Sequence, residues 1–332
     1  MKRTIFFFLL SASLGLAGIY AVSGSELFNA AHYRLTDPDA AVVALCLLAF
    51  SGLWLGPAVK LTMLCRYQRL PSSLAVTLPV HLVLVLGAAI TPGGAGGAPV
   101  MAAAFKLLGV PWGRSIGLAV QGFILDLVLF AWLVPVSVAY LTLSHALRLP
   151  PSIQALALLS TFLAAAVALI LGRFPRIALR LMLWLGNRKL LARFKRRLSF
   201  VARDYYRSTR TFMNMPLTLW LGLQLVSMLA WVCSPLLYWG LLHLYGLAAD
   251  VLTITAMLSL VTLISYIIPT PGAAGFMELA VGLGSSLQGM GGELSAPLLV
   301  WRLASYNLIY LVGPLAGWWL YAFSRSKTAA KA

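Results

Sequence analysis

The sequence TPGGAGGAP at residues 91–99 interrupts one apolar segment of this chain, and the sequence TPGAAG at residues 270–275 interrupts another. In both stretches the Thr-Pro-Gly tripeptide is followed by a further glycine three residues after its own. Proline and glycine break helices, and irregular backbone inside a bilayer is tolerated only where it is buried in protein or lines a cavity. The paired breaks therefore predict two interrupted helical segments around an internal site.

The composition is that of a membrane protein. Of 332 residues, 61% are hydrophobic and 10% are charged, and the mean hydropathy is +0.91, which excludes an ordinary soluble domain. The 25 Lys and Arg residues against 8 Asp and Glu residues give a net charge of +17. We expect no nucleic-acid partner, because basic residues mark the cytoplasmic loops of a membrane protein. The three cysteines have no disulfide or metal spacing, so we expect no metal and no cofactor: Cys46, Cys65 and Cys233.

Apolar segments of roughly 20 residues predict membrane spans, and the charge of the intervening loops predicts their orientation. The basic residues before the first span place the N-terminus in the cytoplasm, and Lys60, Arg66 and Arg69 are expected in a cytoplasmic loop after the second span. If residues 74–90 crossed the bilayer completely, the later loops would carry the wrong charge. If each break instead forms a re-entrant hairpin, and the two hairpins open from opposite sides of the membrane, the basic loops all lie on the cytoplasmic side.

We therefore predict an all-α, polytopic helical integral membrane protein with two re-entrant hairpins arranged as an inverted repeat. Ordinary kinked spans are the alternative, since glycine and proline are common in membrane helices. The predicted segments of the single membrane domain 1–332 are a first span and outer loop (1–38), a first repeat (39–143, hairpin 74–109), a linking span (144–172), a basic cytoplasmic amphipathic loop (173–215), a second repeat (216–323, hairpin 252–290) and a cytoplasmic tail (324–332).

The loop from Arg173 to Arg210 contains 12 of the 25 cations, which indicates the cytoplasmic side. Its apolar residues recur at helical spacing, as in a helix at the headgroup interface: Leu190, Leu191, Phe194, Leu198 and Val201. A solvated positive loop and specific recognition of an anionic lipid both remain open here. For the first span, a cleavable signal peptide is the alternative.

Ionisable residues within apolar segments are candidate functional residues, because burying one unpaired costs several kcal/mol. Glu278 either caps the second short helix or belongs to the site. Arg302 has Glu278, Asp126 or a lipid phosphate as candidate partners, or it extends to the interface. Asp126 either bonds to another helix or belongs to the site, and His81 is expected to be a core residue. Two further polar residues are candidates for the lining: Gln121 and Asn307.

The helix after each break begins near the bilayer midplane, where its N-terminal N–H groups suit an anion such as a lipid phosphate. The candidate substrate-binding set combines the breaks with the charged residues: Thr91, Pro92, Gly93, Gly94, Gly96, Gly97, Asp126, Thr270, Pro271, Gly272, Gly275, Glu278 and Arg302.

The first break, with KLLGV at residues 106–110, resembles the first signature of the lysylphosphatidylglycerol synthase transmembrane family, also called flippase-like proteins. The stretch IPTPGAAGFME at residues 268–278 resembles its second signature, and WRLASY at residues 301–306 resembles the segment on its last helix. The resemblance covers nearly the whole chain and implies a lipid-handling protein similar to the translocating half of the multiple peptide resistance factor. Synthases of that family add a soluble domain after the last helices, whereas this chain ends at Ala332. We therefore expect no lipid aminoacylation by this chain alone.

No ATP-binding, serine-hydrolase or zinc-protease motif is present. The leading hypothesis is a lipid translocase of the cell inner membrane, with both termini cytoplasmic, that moves a phospholipid or another lipid with an anionic or phosphate-bearing headgroup. Its movement would be passive or coupled to a gradient, with Glu278 or Asp126 as proton carrier. The alternatives are an enzyme that modifies a lipid or polyprenyl phosphate, using Asp204, His243 or Asp250, and a lipid-binding scaffold for a partner lipid-modifying enzyme. Whether the protein forms a homodimer stays open.

Overall fold

The computed structural model describes residues 2–24, 35, 38–144, 150–173, 180, 184, 195–290 and 294–329. Within these residues the chain forms helices and turns, without a β-strand. A π-helical turn, Leu303–Asn307, separates the last two helices. The helices are α1 (Lys2–Ser23), α2 (Ala40–Tyr67), α3 (Leu74–Ala89), α4 (Gly97–Leu107), α5 (Trp112–Leu143), α6 (Pro151–Arg173), α7 (Lys195–Met213), α8 (Leu217–Leu244), α9 (Val251–Ser265), α10 (Phe276–Ser286), α11 (Ser295–Arg302) and α12 (Ile309–Ala329).

Among the described residues, five segments are long and apolar enough to cross a membrane: Ala40–Tyr67, Trp112–Leu143, Pro151–Ile170, Leu217–Leu244 and Ser295–Ser326. The shortest of them has 20 residues, which at about 1.5 Å per residue matches a hydrocarbon core about 30 Å thick. Large apolar side chains such as Leu48 and Trp132 are exposed on their outer faces, as lipid contact requires. The predicted class is confirmed: the chain is a polytopic helical membrane protein.

The expectation that Lys60 belongs to a cytoplasmic loop is wrong. Helix α2 continues past it to Tyr67, and Lys60 is buried. Its ammonium group lies 2.5 Å from a carboxylate oxygen of Asp126 on α5. This partner offsets much of the cost of placing a cation among apolar helices, so the helix does not have to end where the charge occurs.

Two helix pairs are broken by the Thr-Pro-Gly turns. Helix α3 has 16 residues and α9 has 15, and the helix after each turn has 11. The two turns have the same backbone form: φ is +59° at both Gly93 and Gly272, and it is also positive at the next residue, +70° at Gly94 and +52° at Ala273. Each turn thus uses a left-handed pair that glycine adopts at least cost. At about 1.5 Å per residue, helices of this length are shorter than the hydrocarbon core.

Helices α2 and α8, each of 28 residues, precede these broken pairs and pack against each other along their length. Small residues allow the close approach: a Cβ atom at Gly56 would lie 2.5 Å from that of Ala230, and one at Gly240 would lie 2.5 Å from Sγ of Cys46. Such small-residue contacts replace the hydrophobic driving force that helices lack in lipid. Cys46, Cys65 and Cys233 are free thiols.

Helix α7 is the described part of the basic loop. It packs against the start of α5, where a Cβ atom at Gly113 would lie 2.2 Å from the Val201 carbonyl oxygen. Tyr205 and Phe212 are buried, so α7 turns apolar residues toward the protein. Three arginines are exposed: Arg203, Arg207 and Arg210. Most of the preceding loop lies outside the described residues, as do Leu190, Leu191, Phe194 and the side chain of Leu198.

Candidate functional site

The two Thr-Pro-Gly turns contact each other. Pro92 and Pro271 pair as an antiparallel bridge. Each turn is braced by its own threonine: Thr91 Oγ1 accepts a hydrogen bond from Gly96 N at 2.8 Å, and Thr270 Oγ1 donates one to the Ala274 carbonyl at 3.1 Å. The structure therefore brings the two halves of the predicted substrate-binding set into contact.

The two turns differ in accessibility. In the first turn, Pro92 and Gly93 are exposed, and a Cβ atom at Gly93 would meet nothing within 4 Å. In the second turn, Pro271, Ala273 and Ala274 are buried. Only the first turn thus has open space beside it, although the two have matching backbone geometry.

Glu278 and Arg302 form a sealed ion pair next to the second turn. Arg302 Nε donates to Glu278 Oε1 at 2.5 Å, and the side chains are 6% and 1% exposed, respectively. The other carboxylate oxygen of Glu278 accepts a hydrogen bond from Gly275 N at 2.8 Å. Glu278 therefore caps α10, as one of its two alternatives predicted, and it is also the partner of Arg302.

Arg302 also holds the second turn directly. Its Nη2 donates to the Gly272 carbonyl at 2.7 Å, and its guanidinium carbon lies 4.3 Å from the centre of the Tyr306 ring. The guanidinium has five N–H donors, and its Nη1 makes no hydrogen bond within the described residues. Arg302 is thus a buried cation with donor capacity left over.

Tyr306 connects the elements that meet here, and sequence reasoning did not single it out. Its hydroxyl donates to the Ala89 carbonyl at the end of α3, at 3.4 Å, and Tyr310 donates to the same oxygen at 3.1 Å. The Tyr306 side chain also lies beside Ser11 of α1. Residue 306 lies in the π-helical turn, a local irregularity that often marks functional sites. That irregularity has no sequence signal of its own.

Helix α1 closes one side of this site. A Cβ atom at Gly18 would lie 2.7 Å from the Gly275 carbonyl oxygen, and one at Gly15 would lie 3.0 Å from Oε1 of Glu278. The first helix is therefore seated on the capped start of α10 through two glycines.

Asp126 is not part of the Arg302 pair. Its carboxylate is bonded to Lys60, as described above. His81 on α3 is partly buried and lies within electrostatic reach of Lys60. Lys60, like Tyr306, was missed from the sequence, since a lysine at the end of an apolar run indicates a loop.

Within the described part of the chain, Gln121 and Asn307, the two candidate lining residues, do not contact the Glu278–Arg302 pair through a hydrogen bond. Gln121 is buried in a closed ring in which Gln68 donates to Gln121, Gln121 donates to Ser208, and Ser208 donates to Gln68. This ring joins α5 and α7 to the end of α2. Asn307 lies partly buried in the π-helical turn.

Two of the residues that the enzyme alternative would use, Asp250 and His243, make local contacts. Asp250 caps α9 through Thr253 N at 2.7 Å and accepts a hydrogen bond from Tyr140 at 2.9 Å. Burial raises the pKa of Asp250, but the hydrogen bonds from Thr253 and Tyr140 lower it more, so the net shift is downward. His243 stacks on Trp239 with ring centres 5.7 Å apart. Among the described residues, no group of three His, Cys, Asp or Glu side chains is placed to hold a metal ion.

Comparison with known families gives a match over residues 5–313 to the family described as Lysylphosphatidylglycerol synthase TM region. The chain belongs to this family. The matched region of the lysylphosphatidylglycerol synthase transmembrane family includes both Thr-Pro-Gly turns, the Glu278–Arg302 pair and Tyr306. Neither the curated proteins nor the solved structures include a significant match. Membership relates the protein to lipid handling in the membrane.

Proposed function

We propose that the protein is a flippase-like lipid translocase of the cell inner membrane. It binds the phosphate-bearing headgroup of a phospholipid near the bilayer midplane and moves it between leaflets. The observation that carries the proposal is the contact of Pro92 with Pro271 beside the buried Arg302. An amphiphile that crosses hydrocarbon needs a desolvated polar site halfway, and this is where the two broken helices meet.

The proposed topology has both hairpins re-entrant. Helices α3 and α4 enter from the cytoplasm, and α9 and α10 enter from the outside, so the helices α2 to α5 and α8 to α12 form an inverted repeat with cytoplasmic termini. The matched φ angles of the turns and the equal lengths of α2 and α8 support this symmetry. Paired broken helices of opposite orientation are typical of transporter sites at the midplane.

The open first turn is the proposed contact for the headgroup. Gly93 has free space beside it, and α4 begins at Gly97 without a side-chain cap, so the N-terminal end of that helix keeps its partial positive charge. From the other turn, Nη1 of Arg302 offers N–H donors for a charge-assisted hydrogen bond, while Glu278 balances the charge of the guanidinium. The second turn, capped by Glu278, serves as the rigid wall against which the first moves.

Reconstitution into vesicles tests this function. Vesicles contain fluorescent phosphatidylglycerol or phosphatidylethanolamine, and a membrane-impermeant reductant bleaches the label in the outer leaflet. We expect bleaching beyond the outer-leaflet fraction with the wild-type protein and a loss of that excess with Arg302→Gln. Arg210→Gln, which changes an exposed arginine of α7, is the matched control and should behave as wild type.

Two results would change the proposal. Bleaching that equals that of protein-free vesicles for every lipid tested would overturn translocation. Lipid binding without movement would instead favour the scaffold that presents lipid to a partner enzyme.

A further inference from the structure

The protein contains a second intramembrane ion pair whose accessibility differs from that of the first. Lys60 and Asp126 are 11% and 34% exposed, whereas Arg302 and Glu278 are 6% and 1% exposed. In the Lys60–Asp126 pair the lysine side chain is covered, whereas its carboxylate partner is partly exposed. A cation held this way has a counter-ion that another anion can reach and replace.

The position of this pair follows from its neighbours. Lys60 lies about two turns, or roughly 10 Å, before the end of α2 at Tyr67, where the Tyr67 hydroxyl donates to the Asn214 carbonyl between α7 and α8. Gln121, at the level of that same end through its bond to Gln68, precedes Asp126 by between one and two turns. In the proposed orientation, Lys60 and Asp126 therefore lie in the cytoplasmic half of the membrane, about 10 Å inside the end of α2.

Aromatic residues connect the pair to the second turn. Phe123, one helical turn before Asp126, and Tyr266 are 39% and 44% exposed and meet edge to face at 5.8 Å. Tyr266 directly follows α9 and lies within electrostatic reach of Asp126. Tyr266 precedes Thr270 by only four residues, so it lies between Asp126 and the second turn.

A buried lysine needs an anion at all times, because an uncompensated charge in the bilayer is costly. A lipid phosphate that approaches Asp126 satisfies this need as well as a carboxylate does, and it carries its own charge into the protein. The exchange therefore keeps Lys60 compensated throughout.

We propose that Lys60 is the cytoplasmic anion subsite of the translocation route and that Asp126 is its internal competitor. An entering lipid phosphate passes Phe123, displaces Asp126 from Lys60, and then passes Tyr266 to the turns beside Arg302. The subsite deepens the proposed translocase function and rests on it for its place in the route. In this proposal Lys60 binds the lipid phosphate, and Asp126 weakens that binding by competing for Lys60.

Binding of short-chain dioctanoyl phosphatidylglycerol to purified protein in detergent tests the subsite, with inorganic phosphate as a separate arm. We expect Lys60→Gln to raise the Kd about ten-fold, the loss of one charge-assisted hydrogen bond, and Lys60→Arg to keep it near wild type. Asp126→Asn should lower the Kd, because it removes the competitor. An effect with the lipid alone shows that the acyl chains are needed, and an effect with both shows that phosphate suffices.

A merely structural ion pair predicts a different pattern. In that case both substitutions would lower the melting temperature and neither would move the Kd, or both would weaken binding alike, and either outcome overturns the proposal. If Lys60→Gln fails to fold, a lower Kd for Asp126→Asn still supports the subsite, and an unchanged or higher Kd overturns it, since loss of structure does not increase affinity. Vesicle bleaching with the same variants separates the two proposals: opposite shifts in Kd without lipid movement would refute the translocase and keep the subsite.

Discussion

Arg302 Nε lies 2.5 Å from Glu278 Oε1, and both side chains are sealed from solvent. The pair joins the last membrane segment to the helix that follows the second Thr-Pro-Gly turn. Through Gly272 and Gly275, the same two side chains hold both ends of that turn. The ion pair therefore fixes the second turn as a rigid element, and loss of the pair should lower the free energy of unfolding.

Glu278→Ala leaves Arg302 as an uncompensated buried charge and removes the cap of α10. We expect a loss of about 3 to 5 kcal/mol in the free energy of unfolding, the usual effect of removing one partner of a buried ion pair. Denaturant unfolding in mixed micelles measures it. Glu278→Gln keeps an acceptor for Gly275 N and should lose less; equal stability of Glu278→Ala and wild type would contradict the structure.

Gly272→Ala and Gly93→Ala provide a matched comparison, since φ is +59° at both positions. Each substitution pays the same backbone strain of about 1 to 2 kcal/mol, but only at Gly272 does the new Cβ collide with the Tyr306 ring. We expect Gly272→Ala to lower the melting temperature more than Gly93→Ala does. Adding Tyr306→Ala should recover part of that difference in a double-mutant cycle, and no recovery would show that the collision is absent.

Gly18→Leu should displace α1 from α10, because even a Cβ atom there would lie 2.7 Å from the Gly275 carbonyl oxygen. The expected result is a lower melting temperature in detergent and faster proteolysis near the N-terminus. Gly122→Leu is the control, since a Cβ atom at Gly122 would meet nothing within 4 Å. Equal behaviour of the two variants would mean that α1 does not pack on α10.

Asp250 should contribute a pH-dependent term to stability. Burial raises its pKa, but the hydrogen bonds from Thr253 and Tyr140 outweigh burial and lower the pKa below the ordinary aspartate value. A group whose folded pKa is lowered stabilises the fold above its unfolded pKa of about 3.9, and this contribution is lost as the pH falls through the folded value. The melting-temperature gap between wild type and Asp250→Asn should therefore be larger at pH 7 than at pH 3. A gap that widens on acidification would reverse the sign and contradict the assignment.

Much of the fold could be predicted because its signals are local. Apolar length gives the membrane spans, and the Thr-Pro-Gly tripeptides give the two helix breaks, since the chemistry of proline and glycine acts on their own backbone. Glu278 three residues after Gly275 predicts the cap for the same reason. The family resemblance, confirmed by the match over residues 5–313, rests on these same local motifs.

Pairings between distant residues could not be predicted in the same way. Arg302 had three candidate partners, and Lys60 was assigned to a loop because a charge normally ends an apolar run. Only the packing of α2 on α5 reveals that Asp126 compensates Lys60 within the helix. Gln121 gave no signal for its ring with Gln68 and Ser208, which depends on the placement of α7.

The sequence by itself determined that this is a helical membrane protein with two broken helices, because helix breaking and hydropathy are properties of neighbouring residues. Only the tertiary structure decided that Pro92 meets Pro271, that Glu278 rather than Asp126 neutralises Arg302, and that one turn is open while the other is sealed. These features depend on which helices lie side by side. A buried charge requires a partner, but the chain's order alone does not say which partner lies within reach.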